Sequence, residues 1–222
     1  MGKTEEDKIG TEIIKRFYRA VLTELEEDRS NEVHVTDLVY ECLRRAYYEK
    51  KYSAMPSDES GALVLWIGKK LHETPVCSGH EVELSADIDG VPVRGSIDEL
   101  CTVGDKIVIV DKKSTRGAPS KPYEHHVKQV LFYAAILAKT KGIVADYGAV
   151  LYIDVANLYS KVFVFPITVM DIESAWAELS SKARKLWDAM VNDRVPPAEP
   201  GWLCKYCPYW RRCIGDGDGG ED

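Results

Sequence analysis

Side-chain amides are almost missing from this chain: among 222 residues there is one glutamine, Gln129, and there are three asparagines, Asn31, Asn157 and Asn192. Amides are thermolabile, so their scarcity leans toward a heat-adapted source, a setting in which intracellular disulfides also occur. No run approaches eighteen consecutive apolar residues, which excludes a membrane-spanning helix on length. The opening MGKTEEDKIG has no apolar stretch of the secretory kind, and a cytoplasmic protein is expected.

A surplus of basic charge is missing as well. The net charge is −7, but residues 1–32 hold six Lys/Arg against nine Asp/Glu, and residues 214–222 hold four acids and no base. Those two ends account for the whole deficit, so the body between them is neutral and its basic clusters can still meet phosphate. The acidic, glycine-rich tail reads as disordered. A composition 45% hydrophobic and 29% charged suits one domain with a well-buried core and a small appendage.

Periodicity orders what is present. Ile9, Ile13, Phe17, Val21 and Leu25 recur at helical spacing, a second helix is predicted from a cap at Thr36 or Asp37 through LVYECLRRAYYEKK, and after a polar break at PSDES a third ends near His72. Three strands follow, HEVELSADI, VPVRGSIDEL and KIVIVDKKS, separated by Asp89-Gly90 and Gly104-Asp105 as in a β-meander. Pro122 opens a helix whose apolar face carries Val127, Val130, Leu131, Ala134 and Leu137. Two more strands, YGAVLYID and KVFVFPI, precede a long helix near 169–192, where Trp176 and Trp187 read as core. The pattern is an α/β domain with a mixed sheet flanked by helices.

The chemistry gathers at the end of the third strand. Alternation puts Ile107, Ile109, Asp111 and Lys113 on one face and Val108, Val110 and Lys112 on the other, both apolar until the charges begin. One strand earlier stands Asp98. Carboxylates on neighbouring strands can share a hard divalent cation such as Mg²⁺ or Mn²⁺, His72 can bring an imidazole to it, and Lys113 can steady a phosphate's developing charge or orient water. His125, Gln129 and Tyr133 lie at i, i+4 and i+8 on one polar stripe of the following helix, a stripe that serves the site or faces solvent. This is equipment for cutting a phosphodiester.

CKYCPYWRRC closes the chain's ordered part with Cys204, Cys207 and Cys213, one thiolate short of a four-ligand metal or iron-sulfur site. Cys77 and Cys101 are far from that spacing and read as buried or free thiols, with a disulfide between them the lesser alternative. The stretches LRRAYYEKKY and CKYCPYWRRC suit a single-strand path, since Lys and Arg neutralise phosphates and aromatic rings stack on bases.

Taken in order, Gly68-x-x-x-His72, Asp98, Asp111-x-Lys113 and Gln129-x-x-x-Tyr133 resemble the RecB-type branch of the PD-(D/E)xK nucleases, with their restriction-endonuclease-like core. Cys42 followed by Cys204-x-x-Cys207 and Cys213 is similar to its iron-sulfur-bearing members, the CRISPR-associated exonucleases. The resemblance spans residues 36–213. It implies a metal-dependent exonuclease of single-stranded DNA, commonly 5′ to 3′, that trims prespacers in CRISPR adaptation beside the CRISPR integrase and its small associated subunit. Carried over by position, His72, Asp98 and Asp111 become ligands of Mn²⁺ or Mg²⁺, Lys113 the catalytic lysine, and Gln129 and Tyr133 active-site or DNA contacts. Many members carry Glu where this chain has Asp111, a shorter reach for metal. Cys42 becomes the fourth ligand of a 4Fe-4S or 2Fe-2S cluster that joins an N-terminal helix to the C-terminal segment; zinc is the physical competitor. The implied organisation is a helical extension at 1–35, helices bearing one cluster cysteine at 36–72, a nuclease core at 73–168, the last helix and cysteine segment at 169–213, and the tail at 214–222. Two other readings stay open on the residues: a RecB-like nuclease of repair or of a mobile element, and a non-catalytic, cluster-bearing DNA-binding module.

Overall fold

The structure is a computed structural model that describes residues 4–25, 32–52 and 59–215. Its elements run α1 (Glu5–Leu25), β1 (Val33–His34), α2 (Val35–Leu38), α3 (Leu43–Tyr52), α4 (Glu59–His72), β2 (Gly79–Ile88), β3 (Val91–Val103) and β4 (Lys106–Thr115). Then come α5 (Glu124–Lys141), β5 (Tyr147–Asp154), β6 (Tyr159–Pro166), α6 (Val169–Val191), a 3-10 turn at Trp202–Tyr206 and α7 (Trp210–Gly215).

The meander is as its turn residues require: β2, β3 and β4 pair antiparallel, and Asp89, Gly90 and Gly104 take positive φ at the reversals. From β4 the chain crosses through α5 and returns as β5, parallel to β4, and β6 pairs antiparallel at the edge. The sheet order is β1-β3-β4-β5-β6, with β2 also on β3. β1 is two residues long and parallel to β3, too short to leave a period in the sequence. Helix α5 packs across β2 to β5, α6 lies on α5, and α4 lies on β4. The core between sheet and helices includes Ile109, Val130, Phe132, Ile136, Val150 and Leu179, all fully buried, with Trp176 and Trp187 partly buried against it. Thr168 caps α6 by accepting from the Asp171 amide, while Asp171 accepts from the amide of Thr168.

Three expectations change. The helix expected from Thr36 or Asp37 onward is two helices, broken at residues 39–42. Lys182 of α6 donates to the carbonyls of Leu38 (3.3 Å) and Tyr40 (3.1 Å), taking acceptors that a continuing helix would use, and Asp37 is held by Lys50 at 2.9 Å in a buried ion pair. Cys42 therefore sits in the break, just ahead of α3. Second, the apolar stripe of α1 is not covered: Ile9, Ile13 and Phe17 are exposed, and Val21 is its buried residue. The helix rests on α4, where Phe17 meets Trp66 edge-on and the Trp66 indole donates to Glu24 at 2.8 Å.

Third, Cys77 and Cys101 are not free thiols but a disulfide, with Cα atoms 5.2 Å apart. The cause lies next to it: the carboxylate of Glu99 accepts from the amides of Val76 and Cys77, both at 3.0 Å, and so holds residue 77 against β3. The acidic tail, from residue 216, and most of the polar break at 56–60 lie outside the described residues.

The disulfide spans 24 residues. Replacing both cysteines by serine is expected to lower the unfolding free energy by about 3 kcal/mol, read as a lower urea midpoint at unchanged slope; an unchanged midpoint would mean that Glu99 alone holds the segment.

Candidate active site

Two carboxylates stand within the neighbouring strands β3 and β4, Asp98 and Asp111, next to the ladder pair Glu99↔Val110. Asp98 Oδ2 accepts from the Lys112 amide at 2.6 Å, and its Oδ1 meets His72 Nδ1 at 3.0 Å. His72, the last residue of α4, reaches it because α4 lies close on β4: a Cβ at Gly68 would stand 3.2 Å from Ser114 Oγ, a tight contact that glycine avoids. Opposite Asp98 the β2 ladder passes from His80↔Glu99 to Val82↔Ile97 with Glu81 left-handed between them (φ 47°), a local irregularity of the kind that re-aims a side chain.

Asp111 is 1% exposed. Its Oδ1 accepts from Lys113 Nζ at 2.8 Å, whereas its Oδ2 is buried with no hydrogen-bond partner among the described residues. Burial pushes the carboxyl up to about 6; the Lys113 ammonium opposes this, and the charge of Asp98 adds to it. A buried carboxylate oxygen left unpaired is uncommon and costly, and it marks a place where a donor or a cation fits.

Gln129 and Tyr133 do not face solvent: both are buried, and Gln129 Nε2 donates to Tyr133 Oη at 2.9 Å. The Tyr133 ring packs on β3 at Gly95, where an added Cβ would come within 2.8 Å of it. The stripe divides one turn earlier, because His125 turns to Tyr40 and Tyr123 instead.

Several neighbours of the site were given no role there by the sequence. Lys112, which alternation assigns to the other face, is 1% exposed, and its ammonium donates to Glu99 (2.8 Å), the His72 carbonyl (3.0 Å) and the Thr74 carbonyl (2.8 Å). Burial opposes ionisation of Glu99, yet Lys112, the two amides and His80 outweigh it and hold its carboxyl below the usual range. His72 is thus gripped twice, by its ring on Asp98 and by its carbonyl on Lys112. On the lysine-113 side, the Tyr152 hydroxyl accepts from the Tyr123 amide at 3.0 Å and shares a hydrogen bond with His126 Nδ1 at 2.8 Å. Burial, then Lys113 and His125, hold His126 down to about 2, so its imidazole is neutral.

Cys42, Cys204, Cys207 and Cys213 are free, partly buried thiols. Arg44 ties this corner by donating to the Pro196 carbonyl at 2.7 Å and reaching the carbonyl (3.4 Å) and sulfur (3.7 Å) of Cys213. Burial pushes the Cys207 thiol up, Arg45 opposes, and neighbouring Cys42 and Cys204 add to the rise. Among the described residues, no three His, Cys, Asp or Glu side chains close into a ligand set. Tyr47 and Tyr48, expected along a single-strand path, are instead in the core, where Tyr48 packs on Tyr209 at 5.7 Å.

A mixed sheet whose neighbouring central strands carry two carboxylates and a lysine, covered by a helix with a buried Gln-Tyr pair, is a nuclease core of the PD-(D/E)XK type. The sequence model of the PD-(D/E)XK nuclease superfamily matches residues 12–214, and the chain belongs to that superfamily. It is similar to the CRISPR-associated exonuclease Cas4 of Saccharolobus solfataricus, 22% identical over 212 residues that cover 89% of this chain and 93% of that one. Its fold is that of the crystal structure of SSO0001, with a TM-score of 0.59 and 23% identity over 90% of this chain and 96% of the other. No helix among the described residues is long and apolar enough to cross a membrane.

Breaking the buried pair by Lys112→Ala is expected to cost about 3–5 kcal/mol in denaturant unfolding, because Glu99 is left buried without its ammonium. Asp111 behaves in the opposite sense. Its folded-state pKa is raised, so its protonated form favours folding and that contribution is lost as pH climbs from about 4 through about 6. The metal-free Asp111→Asn variant is therefore expected to gain stability relative to wild type as pH rises from 5 to 7.5; a constant difference across that range would refute the raised pKa.

Proposed function

We propose that this nuclease is a metal-dependent DNA exonuclease that digests single strands from the 5′ end and trims prespacers in CRISPR adaptation. The observation that carries the chemistry is the unpaired, buried Oδ2 of Asp111, set beside Asp98 and His72 in a site that also holds an ammonium. These donors fit a hard divalent cation, and Asp98, Asp111 and His72 would hold Mg²⁺ or Mn²⁺. Such a cation, when bound, supplies Lewis acidity and a more acidic water. Every other task belongs to side chains. Asp98 and Asp111 place two negative charges where a phosphodiester alone would be repelled, which reserves the site for a charge-neutralised substrate. Lys113, already poised on Asp111, donates to a phosphate oxygen as charge builds there. The Gln129-Tyr133 pair props the strand ends from beneath and contacts the strand.

The four free cysteines have the donor chemistry of an iron-sulfur site, 4Fe-4S or 2Fe-2S, with Cys42 from the front of the chain and Cys204, Cys207 and Cys213 from its end. The influence of Cys42 and Cys204 on the Cys207 thiol, and the hold of Arg44 on Cys213, support this assignment. The likeness to an exonuclease named for CRISPR supports the adaptation role, with the CRISPR integrase and its small associated subunit as partners.

Single-stranded DNA labelled in turn at either end is expected to be shortened with Mn²⁺ or Mg²⁺, the 5′ label released first, and left intact with chelator. Asp98→Ala and Lys113→Ala are expected to lower the rate at least a hundredfold while retaining the fold; wild-type activity in either would remove that residue from the mechanism. Cys42→Ala is expected to lose bound iron and melt at lower temperature, because cluster binding energy is also folding energy.

A further inference from the structure

An aromatic cleft lies next to the catalytic end and takes no part in the reaction as described. Its volume is about 340 Å³, and its walls include Tyr40, Lys121, Tyr123, His125 and Leu203. That is at the lower end of the roughly 300–1,000 Å³ of ligand clefts, room for a single nucleoside-sized group. The rings are ordered. His125 lies 5.7 Å from Tyr123 with planes only 14° apart, and 5.1 Å from Tyr40 at 31°. The Arg45 guanidinium covers Tyr40 at 4.4 Å.

The cleft joins the catalytic residues through one hydrogen bond and one ladder pairing. The Tyr123 amide donates to Tyr152 Oη, and Tyr152 is the ladder partner of Lys113 on β5. The cleft is lined by Glu41 and Glu124 as well as by Lys121 and Lys128. Lys128 is bound to Glu41 and Glu178, whereas Lys121 has no ion pair among the described residues. His125 is kept neutral by burial first, then by Lys113 and Arg45, so its ring offers a flat face without a charge to hydrate.

We infer that this cleft is a stacking subsite for one unpaired base of the DNA strand, adjacent to the phosphodiester held at Lys113. This rests on the nuclease reading above. Near-parallel rings, a cation behind one of them and a lone ammonium match what an unpaired nucleotide presents, a π-face and a phosphate. A paired base keeps its faces inside the duplex stack, so the subsite also selects single strands.

The test is binding of oligonucleotides without divalent metal, each carrying one abasic position stepped inward from the cut end. Wild type is expected to lose about tenfold in affinity at one position and little elsewhere. In His125→Ala that abasic penalty should vanish, because base and pocket are then both already missing, while His125→Phe should restore it. Equal losses at every position, or a penalty that survives in His125→Ala, would overturn the subsite. If wild type neither binds nor shortens single strands, the proposed function itself falls; if it does both without a position-specific penalty, only this inference does.

Discussion

The buried ammonium of Lys112 is the contact on which the rest of the site depends. A lysine and a glutamate sealed from water lose several kcal/mol of hydration each, and their attraction offsets that only when every remaining proton and lone pair is used. Here that condition holds. Lys112 gives its three protons to Glu99, His72 O and Thr74 O, and Glu99 receives in addition two amides and His80. One ion pair thereby joins β3, β4, the end of α4 and the segment leading to β2. The disulfide at Cys77 and Cys101 fastens the same segment again, one position along the chain from Val76 and two from Glu99 on β3. The result is that the His72 imidazole, at the last residue of a helix whose end would otherwise fray, is held to a fixed place beside Asp98.

Adjacent lysines differ in how far they are shut away. Lys112 is saturated with acceptors and shut away, while Lys113, on the other face of the same strand, is one-fifth exposed and bound to Asp111. Stability would favour a neutral residue at 111, since a dry carboxylate with one bare oxygen works against folding. The chain keeps the carboxylate there nonetheless. Strain of this kind persists where the surrounding structure over-determines it, and the satisfied Lys112 network one residue away is what does so.

How much of this was legible in the sequence follows from the range of each interaction. Alternation in IVIVDKKS separated Lys112 from Lys113 and placed Asp111 with Lys113, because side-chain direction in a strand is a local property. The turns Asp89-Gly90 and Gly104-Asp105 announced the meander for the same reason. The Glu99-Lys112 pair was illegible, since nothing in GSIDEL distinguishes Glu99 from Asp98 until the register of β3 on β4 is known. The break at 39–42 depends on Lys182, more than 140 residues away. The Cys77-Cys101 bond depends on amides gathered by Glu99, which no spacing of cysteines reveals. Helix α1 shows the converse: its period was readable, but a period says that a face is apolar, not that anything in the chain covers it.

The break between α2 and α3 connects the two chemistries of the molecule. It places Tyr40 in the wall of the aromatic cleft and, two residues later, Cys42 in the cysteine corner. The C-terminal segment does the same in reverse, with Leu203 lining the cleft and Cys204 directly after it. Both walls of the cleft thus stand within two residues of a free thiol, Tyr40 ahead of Cys42 and Leu203 ahead of Cys204. The corner and the cleft are therefore built by the same two chain segments, and the backbone that carries Tyr40 and Leu203 is the backbone that carries Cys42 and Cys204.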